Sequence, residues 1–164
     1  MSLFSINKVQ SESKAGMKQN KFIFLIFTLK LLISGFFSSG YVEDLFLPFL
    51  NTFHDHGFKA WEISNVSFPY PPTMVLILYL PTKIISFIDV IYLKNLIFHL
   101  PILIADLLIF YFLKRSLPKN AKRINYYYLF SPIIFYASYV HSQLDLVPTA
   151  PVSYTHLRAH ETDS

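Results

Sequence analysis

The chain has no cysteine, and charged side chains make up only 15% of its 164 residues. Without cysteine there is no disulfide framework, no thiolate metal site and no cysteine nucleophile. The shortage of charge excludes an ordinary soluble surface, for which about 25% charged residues is usual. Apolar side chains take the place of charge: 53% of residues are hydrophobic and 18% aromatic, with a mean hydropathy of +0.41. A chain this short cannot enclose that much apolar surface in one core. The expected class is an all-α, multi-pass integral membrane protein. Most of the basic residues behind the net charge of +4 sit beside hydrophobic runs as topology signals, so nucleic acid is not an expected partner.

Residues 1–21 read as a cytoplasmic basic tail carrying Lys8, Lys14, Lys18 and Lys21. The first apolar run, Phe22 to Tyr41, meets the length of about 20 residues that a helical crossing needs. It is bulky throughout and has no small-residue cleavage pattern, which favours an anchor over a cleaved signal. Lys30 near its middle costs about 2.5–3.5 kcal/mol at a helix centre unless it finds a partner, so a buried partner is expected. The most apolar span is Tyr92 to Leu113, followed by Lys114, Arg115, Lys119, Lys122 and Arg123. This basic cluster places the following loop inside.

With the N-terminus and that loop on one side, the chain must cross an even number of times between them. Phe22 to Tyr41 goes out and Tyr92 to Leu113 returns, which leaves Pro71 to Ile88 as an external juxtamembrane or half-embedded helix that Pro81 should kink or end. A third span, Ile124 to Val140, then runs outward behind an aromatic belt of Tyr126, Tyr127 and Tyr128.

The loop at 40–70 carries Glu43, Asp44, Asp55 and Glu62 against Lys59 alone, and its acidity places it outside. Tyr41, Phe46, Phe49, Phe53, Phe58 and Trp61 recur at helical intervals, so an amphipathic helix lying on the membrane surface is expected there. Two acidic positions thus fall on the external face: Glu43-Asp44 after the first outward span and Asp145 after the second. Such a pair suits general-base work, or holding a divalent cation beside a phosphate. No other cofactor is suggested.

From Val152 to Thr162 the sequence resembles one reading frame of a transposase sequencing adapter. Residues 151–164 are therefore set apart from fold reasoning, and the natural chain is expected to continue beyond Ala150. His156 and His160, though four residues apart, are not taken as a metal site.

Residues 22–150 resemble the N-terminal part of the GT-C fold glycosyltransferases, among them protein mannosyltransferases and aminoarabinose transferases. The resemblance is carried by the basic tail, the outward helix and the external acidic loop ending Phe68-Pro69-Tyr70-Pro71-Pro72. It continues in Leu100-Pro101-Ile102-Leu103-Ile104-Ala105-Asp106-Leu107 and in His141-Ser142-Gln143-Leu144-Asp145-Leu146-Val147-Pro148-Thr149-Ala150. It implies transfer of a sugar from a polyprenyl-phosphate donor to an acceptor hydroxyl on a glycan, lipid or protein, with inversion, on the external face. Asp44 would be the catalytic base and Asp145 a second catalytic acid, with Glu43, Tyr70, His141 and Gln143 binding substrate. The family's phosphate-binding Arg or Lys is not recognisable here, so this stretch alone is expected to be inactive.

Each residue also has a plainer reading. Asp44 and Asp145 suit solvated helix ends, and Tyr70 an interfacial anchor. His54-Asp55-His56 lacks a third ligand for a metal site. Asp106, an ionisable residue inside a span, is either functional or a partner for Lys30. Asn65-Val66-Ser67 fits the glycosylation pattern. A transporter and a small structural subunit are the rival classes. The Ile, Lys, Asn and Phe bias is compatible with an AT-rich bacterium, and so with its inner membrane.

Overall fold

Helix α1, Leu3–Ser34, opens the computed structural model, which describes the backbone of residues 3–37 and 39–162 and the side chains of residues 19–37 and 39–159. A π-helical turn, Tyr41–Phe46, leads into α2, Leu47–His56, then a 3-10 turn and the short α3, Ala60–Ile63. After an irregular stretch come α4, Pro72–Ile85, and α5, Ile91–Ser116. The chain then passes through α6, Ala121–Tyr127, α7, Pro132–Phe135, and a second π turn, Tyr136–Val140, to α8, Leu146–Thr162. Every described element is helical, as the composition leads one to expect. The tail lysines Lys8, Lys14 and Lys18, and His160, lie outside the residues whose side chains are described.

Among the described residues one helix, α5, is long and apolar enough to cross a membrane. The other two expected spans are not continuous helices. In the first, α1 stops at Ser34, where Gly35 allows the ring of Tyr92 to press against the backbone. In the run Ile124 to Val140, the helix breaks at residues 128–131. Pro132 cannot donate a backbone N–H and disfavours helical backbone at Ser131, which is extended at ψ 113°. Ser131 then caps the next helix, its Oγ accepting from the Ile134 N–H.

Two further expectations are corrected. Pro81 does not end α4, which runs on to Ile85. The buried Thr82 hydroxyl donates to the Leu78 carbonyl at 2.7 Å within the helix, and His54 of α2 holds the same hydroxyl at 3.0 Å. In the loop at 40–70 a helix does form, but half of the aromatic set covers protein, while Tyr41, Phe58 and Trp61 stay exposed. Phe46, Phe49, Leu50 and Phe53 of the first π turn and α2 are buried with Met74, Val75 and Leu78 of α4. Phe46 also stacks on Phe98 of α5, centroids 6.3 Å apart. α2 ends at Gly57, whose φ of 59° is costly for any residue with a Cβ.

Against α5 pack α1, α4 and α8. The α1 contact is antiparallel: Leu32 and Gly35 meet Tyr92 and Asn95 at one end, and Phe27 meets Phe110 at the other. Between these ends Lys30 Nζ lies 2.9 Å from Asp106 Oδ2, with side chains 4% and 0% exposed. The anticipated buried partner of Lys30 is therefore Asp106. Much of the outer surface is apolar, including Phe24, Phe36, Leu80, Phe87, Ile104 and Ile133. Where such side chains adjoin they call for an apolar partner or solvent.

Candidate active-site cleft

The site begins at the first π turn. Val42 and Phe46, four residues apart, are both buried and pin the turn to the core, which leaves Glu43 and Asp44 exposed on its outer side. Asp44 lines a cavity of about 390 Å³ with Gly40, Tyr41, Leu45 and His141. Glu43 points elsewhere, into a small hollow of about 20 Å³ beside Lys94 and Asn95. The fold thus separates two neighbouring acids that the sequence reading grouped together.

A second cavity, about 160 Å³, is lined by Tyr41, Phe46, Pro69, Tyr70, His141, Ser142 and Gln143. Tyr41 and His141 belong to both cavities, so the two form compartments of one cleft. His141 is the wall between them. Its ring lies parallel to Tyr136, centroids 6.1 Å apart, and meets the edge of Tyr41 at 5.1 Å. Both π turns end at this cleft, a placement such turns often take at functional sites.

Asp145 stands just outside the second compartment. The Tyr70 hydroxyl donates to Asp145 Oδ1 at 3.3 Å and accepts from the Leu144 N–H at 3.4 Å, both long hydrogen bonds. Burial pushes the Tyr70 phenol above its ordinary pKa of 10.0; the Leu144 N–H opposes this and the Asp145 charge adds to it. Tyr70 is therefore a protonated donor near neutral pH. Asp145 also starts α8, where its carbonyl accepts from the Thr149 hydroxyl at 2.6 Å.

Ser142 was not singled out from the sequence. It has φ 58°, the one positive-φ residue other than glycine among the described residues, and it is fully buried. Its hydroxyl is 3.1 Å from His99 Nε2, and His99 Nδ1 is 2.7 Å from the Asn95 carbonyl. A carbonyl can only accept, so Nδ1 carries the proton and the Ser142 hydroxyl donates to Nε2. This arrangement has the order of a nucleophilic Ser-His pair, but a hydroxyl with no exposure cannot reach a substrate. The pair instead holds the 141–145 turn against α5. His99, an ionisable side chain in the most apolar span, was the available signal. The left-handed backbone of Ser142 has no signature in the sequence.

Chemically, the cleft offers an exposed carboxylate at Asp44, imidazole, phenol and amide groups, and aromatic walls. No lysine or arginine lines either compartment. Among the described residues no three His, Cys, Asp or Glu side chains come together as a metal site. In His54-Asp55-His56, the His54 ring lies over Tyr79 at 4.5 Å and its Nε2 binds Thr82 at 3.0 Å, while Asp55 and His56 face outward.

A separate apolar groove of about 610 Å³ lies between α4, α5 and α8, with Leu80, Pro81, Leu100, Ile104 and Ala150 along it; Tyr154, which also lines it, belongs to the adapter-like stretch set apart above. Val147, two residues past Asp145, also lines it. Comparison of the chain with protein-family models, with curated proteins and with solved structures found no match.

Proposed function

We propose that this chain belongs to a multi-pass membrane glycosyltransferase that takes a sugar from a polyprenyl-phosphate donor at the external face. Asp44 accepts the proton of the attacking acceptor hydroxyl as that oxygen bonds to the anomeric carbon and the lipid phosphate departs. Tyr70, His141 and Gln143 contribute polar contacts to sugar or acceptor, and Asp145 is oriented by Tyr70. Glu43 is left out of the site.

One observation carries the reading. Asp44 and His141, from distant parts of the chain, line one cleft, and a separate apolar groove is lined by Val147, two residues past Asp145. A polar cleft and a separate apolar groove, both reached by the segment 141–150, suit a substrate with a sugar head and a hydrocarbon tail. The departing phosphate needs a cationic group or metal from outside the cleft lining. For that reason the chain as it stands is expected to hold the donor without turning it over.

Photo-crosslinking of membranes containing the chain tests this. A polyprenyl-phosphate sugar with a diazirine on its prenyl tail should label α4 and α8, and Ala150→Trp should reduce that labelling by filling the groove. Labelling no stronger than that of a diacyl phospholipid probe would refute the proposal. In an assay that registers sugar transfer, Asp44→Asn should lower it by about 10²–10⁴-fold, the usual contribution of a general base.

A transporter reading draws on Lys30 and Asp106, since coupling residues of transporters sit deep in the bilayer. Here the Lys30 ammonium is surrounded by Phe27, Tyr128 and Tyr139 at 5.0, 5.8 and 5.6 Å. Neither the cleft nor the groove is lined by it or by Asp106, so the structural role is favoured.

A further inference from the structure

Lys30 and Asp106 are 76 positions apart in the chain, and their contact joins α1 to the one helix among the described residues that is long and apolar enough to cross a membrane. Asp106 Oδ2 carries a second load, accepting the Tyr139 hydroxyl at 2.7 Å, so three chain segments meet on one carboxylate oxygen. The other oxygen, Oδ1, is buried with no hydrogen-bond partner among the described residues. A half-satisfied buried ion pair is a poor source of net stability compared with apolar side chains of the same volume. Its value lies in specifying which segments pair.

The helix it holds needs such help. The apolar part of α1 runs only from Phe22 to Ser34 and contains Lys30, short of the roughly 20 residues a crossing takes. We propose that the Lys30–Asp106 pair is a topological latch: α1 keeps a membrane-crossing position only while Asp106 of α5 accepts Lys30. It follows that α1 cannot be committed when it is synthesised, but only once α5 has entered the bilayer. This proposal rests on the membrane-spanning part of the reading above and is independent of sugar transfer.

The chain carries its own reporter. Asn65 and Ser67 are exposed on the segment between α3 and α4, within a glycosylation acceptor sequence. Translation into endoplasmic-reticulum microsomes should modify Asn65 when α1 has crossed, and Asn65→Gln should abolish the signal. Asp106→Leu, which leaves Lys30 unpaired, should lower modification by about tenfold. Lys30→Leu combined with Asp106→Leu should restore it, because no charge is then left uncompensated. A parallel measurement, labelling Ser67→Cys in the otherwise cysteine-free chain with a membrane-impermeant maleimide, reads the same position without the glycosylation machinery. If Asp106→Leu leaves both signals unchanged, or the double variant fails to restore them, the latch is overturned while the membrane reading stands. If the unsubstituted loop gives neither signal, the membrane reading falls and the latch with it.

Discussion

His54 illustrates how neighbours decide what a side chain is for. In the sequence it sits in a His-Asp-His triplet that suggests metal. In the fold its ring packs on Tyr79 and its Nε2–H donates to Thr82 Oγ1, whose own hydrogen goes to the Leu78 carbonyl. Burial, and then the nearby Lys83 charge, hold the imidazole below its ordinary pKa of 6.5, only partly offset by Asp55. The unfolded side chain therefore takes up a proton first as pH falls. Stability from this group is present above 6.5 and declines as pH drops through that value toward the folded one. Between about pH 7 and pH 5 the melting temperature in detergent should fall less steeply for His54→Gln than for the parent chain. Parallel slopes would mean that the imidazole is not held neutral in the fold.

At the level of elements, the α1–α5 contact depends on a close approach. A Cβ at Gly35 would overlap the ring of Tyr92, whose hydroxyl donates to the Leu32 carbonyl at 3.0 Å, while the Asn95 amide reaches the Gly35 carbonyl at 3.2 Å. Gly35→Ala should destabilise the protein by about 1–3 kcal/mol. Combined with Tyr92→Ala, which opens the space, its cost should be smaller than the sum of the separate effects. Strict additivity in thermal unfolding would show that the two positions do not touch.

Elements also show how much of the fold was legible. The α5 span was plain from its unbroken apolar run and basic end, and the pairing of Lys30 was foreseeable because a lysine in an apolar helix needs a partner. The continuation of α4 past Pro81 was not, since Leu78, Thr82 and Ile85 on either side of the proline are buried by parts of the chain distant in sequence. The burial of the α2 aromatic face was missed because periodicity says which side of a helix is apolar and not what covers it. In the site, Asp44, His141 and Gln143 could be picked out by residue type. The division between Asp44 and Glu43 could not, because it depends on how the turn seats Val42 and Phe46 in the core.

For the molecule as a whole, the proposed topology gives each connecting segment a side. In the cysteine-free chain, single cysteines report those sides without interference. Asp44→Cys and Asp145→Cys should react with an impermeant maleimide in intact cells, and Lys119→Cys only after permeabilisation. Protection of position 44 or 145 would argue against a shared external cleft. Reaction at position 119 in intact cells would reverse the assignment of the basic loop.

Position 142 answers to two masters. Its backbone geometry suits glycine or asparagine, whereas the acceptor nitrogen of His99 asks for a hydroxyl, and no common side chain serves both wishes well. A threonine would keep the hydroxyl while crowding the turn; a glycine would relax the turn and leave the imidazole lone pair without its donor. Homologous sequences, if they share this turn, should therefore vary at 142 and 99 together, and a substitution at one alone should be among the rarest in the chain.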